Sequence, residues 1–570
     1  MKDLYRCLSD HPLPLRQAIA SAWNTGTALG KGLDDVRALT EAILASDDAA
    51  RVVASLSEEA REALATLIRE GGALPAHRLR GYGSLLRLGP ARLARERPWL
   101  TPANPLEELY YKGFVYRAYG SSTAASLGEI VLIPDELRAL VVGLLPAQDV
   151  APGLASLPSV PREALADDAL CEDALAVLVR LRRGTISAMD PQPDPTQPGY
   201  DPAALDLGPR LLGPREPERL ALLRQLLWRL RLVRQTARGL QPSLRARDWL
   251  RLGELRRQRA IYVAWRDDPH WNELFLLPGL VFGEEERLAR PLPVARRHLL
   301  AVLAKTPPGA WITLEDLRAL LKRVRPDYLR TDGDFDSAFA RRAPSGEFAT
   351  GFEHWDEVEG SLATHLVTRS LYWLGVVDLG LSLAGEALAC RISARGRLLI
   401  EEHVAEEEAR EDTPAATVVT GDESLDVTIP VAGTMYDRYR LERFAEWRAQ
   451  NGIAHYRVTP ESVWYSQDAD IRIEQIVNFL RRLCRGTLDA AAQVALQAWG
   501  GRYGRAFLRR VVLLETADEA TMQEIVAVQE VRALLGPAVS ARARLVNEKQ
   551  VDALVHLLRK MGIWAHVRLG

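Results

Sequence analysis

Apolar positions along this chain recur with two periods, and the switches between them mark its elements. In the run EEAREALATLIRE after Ser57, apolar residues return every three to four positions. Ser57 stands where an N-cap belongs and Gly71-Gly72 where a helix stops, so a helix is expected between them. A second helix is expected around 75–87 and a third over PLEELYYKG, ended by Gly113. FVYRAYG and EIVLIP change to period two around the loop SSTAASLG, which predicts two strands, and DELRALVVGLL closes the unit as a helix. Three helices and a two-stranded ribbon outline a winged helix over 49–145, preceded by an N-terminal helical segment, 1–48.

The outline returns over 291–400. VARRHLLAVLAK reads as helical, and Thr313 with Asp316 three residues on resembles a capping box for LEDLRALLKRV. A long helix is expected from about Trp355 to Leu374, followed by VVDLGLSL and ALACRIS, which alternate around Ala384-Gly385-Glu386 as a wing hairpin. Residues 146–215 are read as a helical and proline-rich linker, with seven prolines in 190–214. Residues 216–290 form an arginine-rich helical segment, and 401–420 an acidic linker opening with EEHVAEEEARED. The last stretch, 421–570, mixes strands (LDVTI, HYRVT, FLRRVVLL, WAHVRL) with helices. The expected fold class is α+β, predominantly helical: two winged-helix-like domains plus a C-terminal α/β domain. Polar linkers are cut first by proteases, so the preferred sites are expected in 190–214 and 401–412.

Composition narrows the class. The 570 residues are 47% apolar and 26% charged, an ordinary globular mixture. Apolar runs fall short of the roughly 18 residues a membrane span needs. The opening MKDLYRCLSDHPLPLRQ has no signal-peptide core, so a cytoplasmic protein without a membrane partner is expected. Cys7, Cys171, Cys390 and Cys484 lie far apart, which argues against a disulfide framework or a cysteine zinc site.

Net charge is −2, but it is unevenly distributed. Seven of the 73 basic residues are lysine and 66 are arginine, a bias that a GC-rich genome also produces. Between Arg210 and Arg259 stand 14 arginines against four acids. If that segment were one helix, Arg224, Arg231, Arg234 and Arg238 would share a side. A nucleic-acid stripe is one reading; arginines paired to acids on a largely buried helix, among leucines and Trp228, is the other.

Candidate catalytic motifs fail on their own chemistry. WNTGTALGKGL (23–33) imitates a phosphate-gripping loop, but Thr25 replaces the first glycine and Gly32 the hydroxyl that would hold magnesium. LRQAIASAW ahead of it reads as a helix rather than a strand, so Lys31 is not expected to be catalytic. TVVTGDES (417–424), with Asp422-Glu423, reads as a turn. DGDFD (332–336) lacks the glycine and glutamate of a calcium loop, having Ser337 and Ala343 in those places. His354 and His365 are isolated, with no metal-ligand spacing. No cofactor, no metal and no enzymatic activity of the chain's own are expected.

Whole segments then add a resemblance. RVRPDYLRTDGDFDSAFARRAPSGEFATGFEHWDEVEGSLATHLVTRSLYWLGVVDLG (323–380) resembles bacterial helicase-associated proteins that carry a domain related to the N-terminal region of XPB-type helicases. GSLLRLGP, NPLEELYYKGFVYRAYG and EIVLIPDELRALV look like the first winged-helix part of the same proteins. YRVTPESVWYSQDADIRIEQIVNFLRR (456–482) and LQAWGGRYGRAFLRRVVLL (496–514) resemble the XPB N-terminal-like module. The likeness covers most of 75–145 and 295–515, and its motifs are structural. Such modules usually open on a Pro-Asp pair, whereas here Pro430 is followed by Val431.

The resemblance implies a DNA-binding accessory of a helicase or DNA-repair complex, with the motor absent or supplied by another chain, a helicase or nuclease subunit. The expected partner is DNA, bound with little sequence preference through two arginine patches. One is Lys322, Arg323, Arg325, Arg330, Arg341 and Arg342; the other is Arg481, Arg482, Arg485, Arg502 and Arg505. In IRIEQIVNFLRRLCR, Ile473, Ile476, Val477, Leu480 and Leu483 make the expected buried stripe, while Gln475, Asn478, Arg482 and Arg485 face away. The competing readings are arginines that answer the helix dipole, and a winged-helix protein-interaction scaffold or transcriptional regulator, which the near-neutral charge favours.

Overall fold

In the computed structural model, helices and several small antiparallel sheets alternate along the chain, and about half of it is helical. The structure describes residues 3–26, 32–123, 126–145, 156–183, 207–236, 239–283, 292–401, 415–504, 506 and 511–568. It forms two compact units, Met1–Thr417 with Val427–Arg457, and Val418–Asp426 with Val458–Gly570. No described helix is long and apolar enough to cross a membrane.

The larger unit holds two apolar cores. The first gathers the helices Leu4–Ser9, Leu13–Ala22, Leu33–Leu44, Ala49–Ala54 and Glu58–Arg69. They pack with a three-stranded antiparallel sheet in which Ser126–Leu132 lies between Ala73–Pro75 and Tyr116–Thr123. Ser57 caps its helix by accepting from the Ala60 amide, and Gly72 and Gly113 take the left-handed backbone that ends a helix. The helix expected around 75–87 is a tighter 3₁₀ turn, Ala76–Tyr82. Its Gly81 passes so close to the end of Leu314–Val324 that a Cβ there would lie 2.3 Å from the Lys322 carbonyl oxygen.

The second core is organised around Ala169–Arg182, a helix buried on nearly every face, its Glu172 and Asp173 included. Each leucine buried there contributes roughly 1.5–3 kcal/mol. Pro217–Arg229, Glu254–Arg266 and Leu292–Leu303 belong to the same core, as does a five-stranded sheet. That sheet runs Ser156–Leu157, Trp311–Thr313, Ala387–Ile392, Val377–Leu381, Arg162–Ala164. The expected hairpin 377–392 is its centre, and its two outer strands come from the stretch read as a linker. Thr313 caps Leu314–Val324 through the Asp316 amide, as its spacing predicts.

Two element predictions are corrected. The helix carrying Arg224 stops at Arg229; Arg231 adopts a left-handed backbone, and Val233–Thr236 pairs with Gly239–Pro242 as a hairpin. Arg224, Arg231 and Arg234 therefore share no helical face, and Arg238 lies outside the described residues. In the second unit, the strand expected at WAHVRL is absent: the chain there is irregular and Trp564 is 80% exposed. The proline-rich 190–206, acidic 402–414 and Lys31 lie outside the described residues.

Burial of charge is the larger unit's distinctive feature. Glu172 and Arg438 meet through two hydrogen bonds of 2.6 and 2.7 Å, with side-chain exposures of 2% and 0%. Burial alone would raise the Glu172 carboxyl, but the Arg438 fork outweighs it and holds the group below its ordinary value. Asp173 with Arg219, Glu273 with Arg296 and Glu359 with Arg330 repeat the arrangement.

Candidate nucleic-acid interface

The second unit places its arginines on the helix Ile473–Leu483. Ile476, Val477, Phe479 and Leu480 are buried. Ile473 is half-buried because Gly500 of the neighbouring helix Ala490–Gly500 approaches it; a Cβ on Gly500 would lie 2.6 Å from the Ile473 side chain. Opposite that stripe, Arg472, Gln475, Asn478, Arg482 and Arg485 follow the 3.6-residue period, and all are exposed. Arg485 terminates the helix in a left-handed conformation, and the Gly486 amide closes the turn on the Arg481 carbonyl at 2.8 Å.

The partners of these arginines decide what they offer a ligand. Arg481 donates to the neutral oxygens of Asn478 (3.2 Å) and Gln493 (2.8 Å), which orients the fork without cancelling its charge. Arg482 lies over the Phe479 ring at 5.1 Å, and Arg502 is exposed. Arg505 lies outside the described residues. Arg472 was not foreseen; its position one helical turn before Gln475 was the available signal.

The other expected patch is mostly occupied. Lys322 pairs with Asp356 at 2.6 Å, Arg323 with Glu62 at 2.9 Å and Arg325 with Glu70 at 3.4 Å. Arg342 makes a two-pronged contact with Glu357 at 2.7 and 2.8 Å. Arg330 is 1% exposed, bonded to Glu359 and to the Phe335 carbonyl, and serves the interior rather than a surface. Arg341 is exposed, with its guanidinium 4.5 Å from the centre of the Phe348 ring. The isolated histidines divide. His354 sits beside Arg342 and Glu357, while burial pushes His365 down to about 4.

A cleft of about 330 Å³ opens between the Ala76–Tyr82 turn and residues 333–352. Its wall sets Arg80 against Glu129 and Asp336, so it presents no single charge.

Residues 418–540 match the family described as the helicase conserved C-terminal domain. Over 157 residues, 26% of this chain, the sequence is 29% identical to a protein described as DNA 3'-5' helicase XPB from Kineococcus radiotolerans. The match spans 28% of that relative's length. The chain is helicase-related, and both likenesses point to a helicase-type enzyme. The expectation of a protein with no enzymatic activity is corrected on that ground. It rested on a missing phosphate loop at 23–33, whereas the family likeness lies at 418–540.

Proposed function

We propose that this chain acts on DNA in a helicase-type process and grips the phosphate backbone through the exposed face of Ile473–Leu483. The observation that carries the reading is a row of exposed arginines, Arg472, Arg482 and Arg485, within a segment matching the helicase conserved C-terminal domain. Arginine forks bind phosphate in a two-pronged manner, and backbone contacts give affinity with little sequence dependence. In this proposal the three-stranded sheet with helices Glu58–Arg69 and Pro105–Tyr111, and the hairpin 377–392 with Leu314–Val324, serve as winged helices.

The test is a fluorescence-anisotropy titration of labelled duplex and single-stranded DNA at two salt concentrations. Wild-type protein is expected to bind with a log–log salt slope of about −0.9 per phosphate on duplex. Arg482→Glu with Arg485→Glu should weaken binding and flatten the slope by about two contacts, with folding intact because both side chains are exposed and lie opposite the buried stripe. No binding by wild type at low salt would overturn the proposal.

A second reading, in which 291–400 engages a protein partner of the helicase machinery, is favoured by the carboxylates that neutralise Lys322, Arg323, Arg325 and Arg342. It expects Arg341→Glu with Arg342→Glu to leave DNA affinity and salt slope unchanged.

A further inference from the structure

The arginine excess between Arg210 and Arg259 is only partly consumed by the fold. Arg210 pairs with Glu442 at 3.0 Å and stacks on Trp447; Arg219 pairs with Asp173; Arg257 is buried and donates to the Leu250 and Leu252 carbonyls. The helix Leu244–Arg251, started by the Ser243 cap, instead carries Arg245, Arg247 and Arg251 exposed. Arg247 and Arg251 are one helical turn apart and lie on the same side.

Both converge on Tyr436. Arg251 donates to the Tyr436 hydroxyl at 3.2 Å, and its guanidinium stands 4.5 Å from the ring centre. Arg247, one turn earlier, lies close enough to lower the same hydroxyl, and Arg440 stands 6.0 Å from the same ring. Among the described residues neither Arg247 nor Arg251 meets a carboxylate. Asp248 stands three residues before Arg251 on the same helix, within reach of it, yet no ion pair joins the two, and Glu254 is engaged by Arg395 and by the Gly433 amide. Partial burial would raise the Tyr436 hydroxyl, yet the arginines beside it outweigh that effect and hold the group below its ordinary value.

The platform beneath them is rigid. The helix Met435–Leu441 carrying Tyr436 is anchored by the buried Arg438–Glu172 pair. Arg182 reinforces it, donating to the Tyr439 carbonyl at 2.6 Å and lying 4.2 Å from that ring's centre. Two like charges one turn apart repel each other. An anion set between the forks would reverse that sign and accept the donors that Tyr436 does not use.

We infer that Arg247 and Arg251, braced by Tyr436, form a second phosphate-binding site that takes the phosphodiester backbone of DNA. This rests on the DNA reading above, so the experiment separates the two. Wild type, Arg247→Gln/Arg251→Gln and Arg482→Glu/Arg485→Glu are titrated with labelled duplex at two salt concentrations, with thermal unfolding as the folding control. The inference expects Arg247→Gln/Arg251→Gln to unfold like wild type, bind about tenfold more weakly and lose about 1.8 from its salt slope, about 0.9 per contact. Unchanged affinity and slope, with wild type still binding, overturn this site and leave the DNA reading standing. Failure of wild type to bind overturns both. Calorimetry with pyrophosphate distinguishes a backbone from a free phosphate: saturable micromolar binding that disappears in Arg247→Gln/Arg251→Gln would overturn the assignment to DNA.

Discussion

Replacing Glu172 with alanine is the most demanding test of how the larger unit holds together. The substitution leaves the Arg438 guanidinium with no carboxylate at 0% exposure, retaining only longer contacts to Gln450 (3.2 Å) and the Val431 carbonyl (3.4 Å). Breaking a buried pair from one side costs about 3–5 kcal/mol, because the surviving charge stays desolvated. With about 1.4 kcal/mol per factor of ten, amide exchange in Ala169–Arg182 and Met435–Leu441 should accelerate by roughly two to four orders of magnitude. Hydrogen–deuterium exchange read by mass spectrometry resolves those two helices directly, without assuming that the whole chain unfolds in one step. The apolar double variant Glu172→Leu/Arg438→Met should recover most of the loss, since replacing both partners removes the desolvated charge. The pair also fixes a pH window. Glu172 titrates below its ordinary value in the folded state, so its contribution is complete above about pH 4.5 and disappears as pH falls through the folded value. An acceleration below tenfold in Glu172→Ala would refute the claim that this pair anchors the helix carrying Tyr436.

Two further outcomes test the interior. Burial lowers His365 and His11 to about 4, so each disfavours folding as pH drops from about 6.5 to about 4, by about 3 kcal/mol apiece; His365→Leu should remove one share of that fall in a pH series of urea midpoints. A Cβ on Gly396 would lie 1.9 Å from the Val376 carbonyl oxygen, so Gly396→Ala should cost about 1–3 kcal/mol, and a urea midpoint equal to wild type would contradict the packing described.

Local elements were readable where the chemistry that makes them is local. Ser57 and Thr313 cap the helices they precede, Gly72 and Gly113 sit where helices end, and period-two alternation located the hairpin 377–392. The face of Ile473–Leu483 was likewise legible, because its buried stripe and polar row follow a single helical period. The break after Arg229 was not, since a left-handed arginine at 231 ends the helix with no glycine or proline between Arg229 and Val233 to announce it. WAHVRL failed for the opposite reason: its alternation suits a strand, but strand formation needs a partner edge, and none meets it among the described residues. The fate of the arginines lay furthest from reach. Arg323, Arg330, Arg247 and Arg482 are the same residue type in similar company, yet one is ion-paired, one buried, one braced on a tyrosine and one exposed over a phenylalanine. Spacing along the chain determines which face of a helix a side chain occupies. Whether a carboxylate waits opposite that face depends on residues far away in sequence, as Glu172 and Arg438 are, 266 positions apart. Only the tertiary structure decides that, because Coulomb attraction and desolvation act through space.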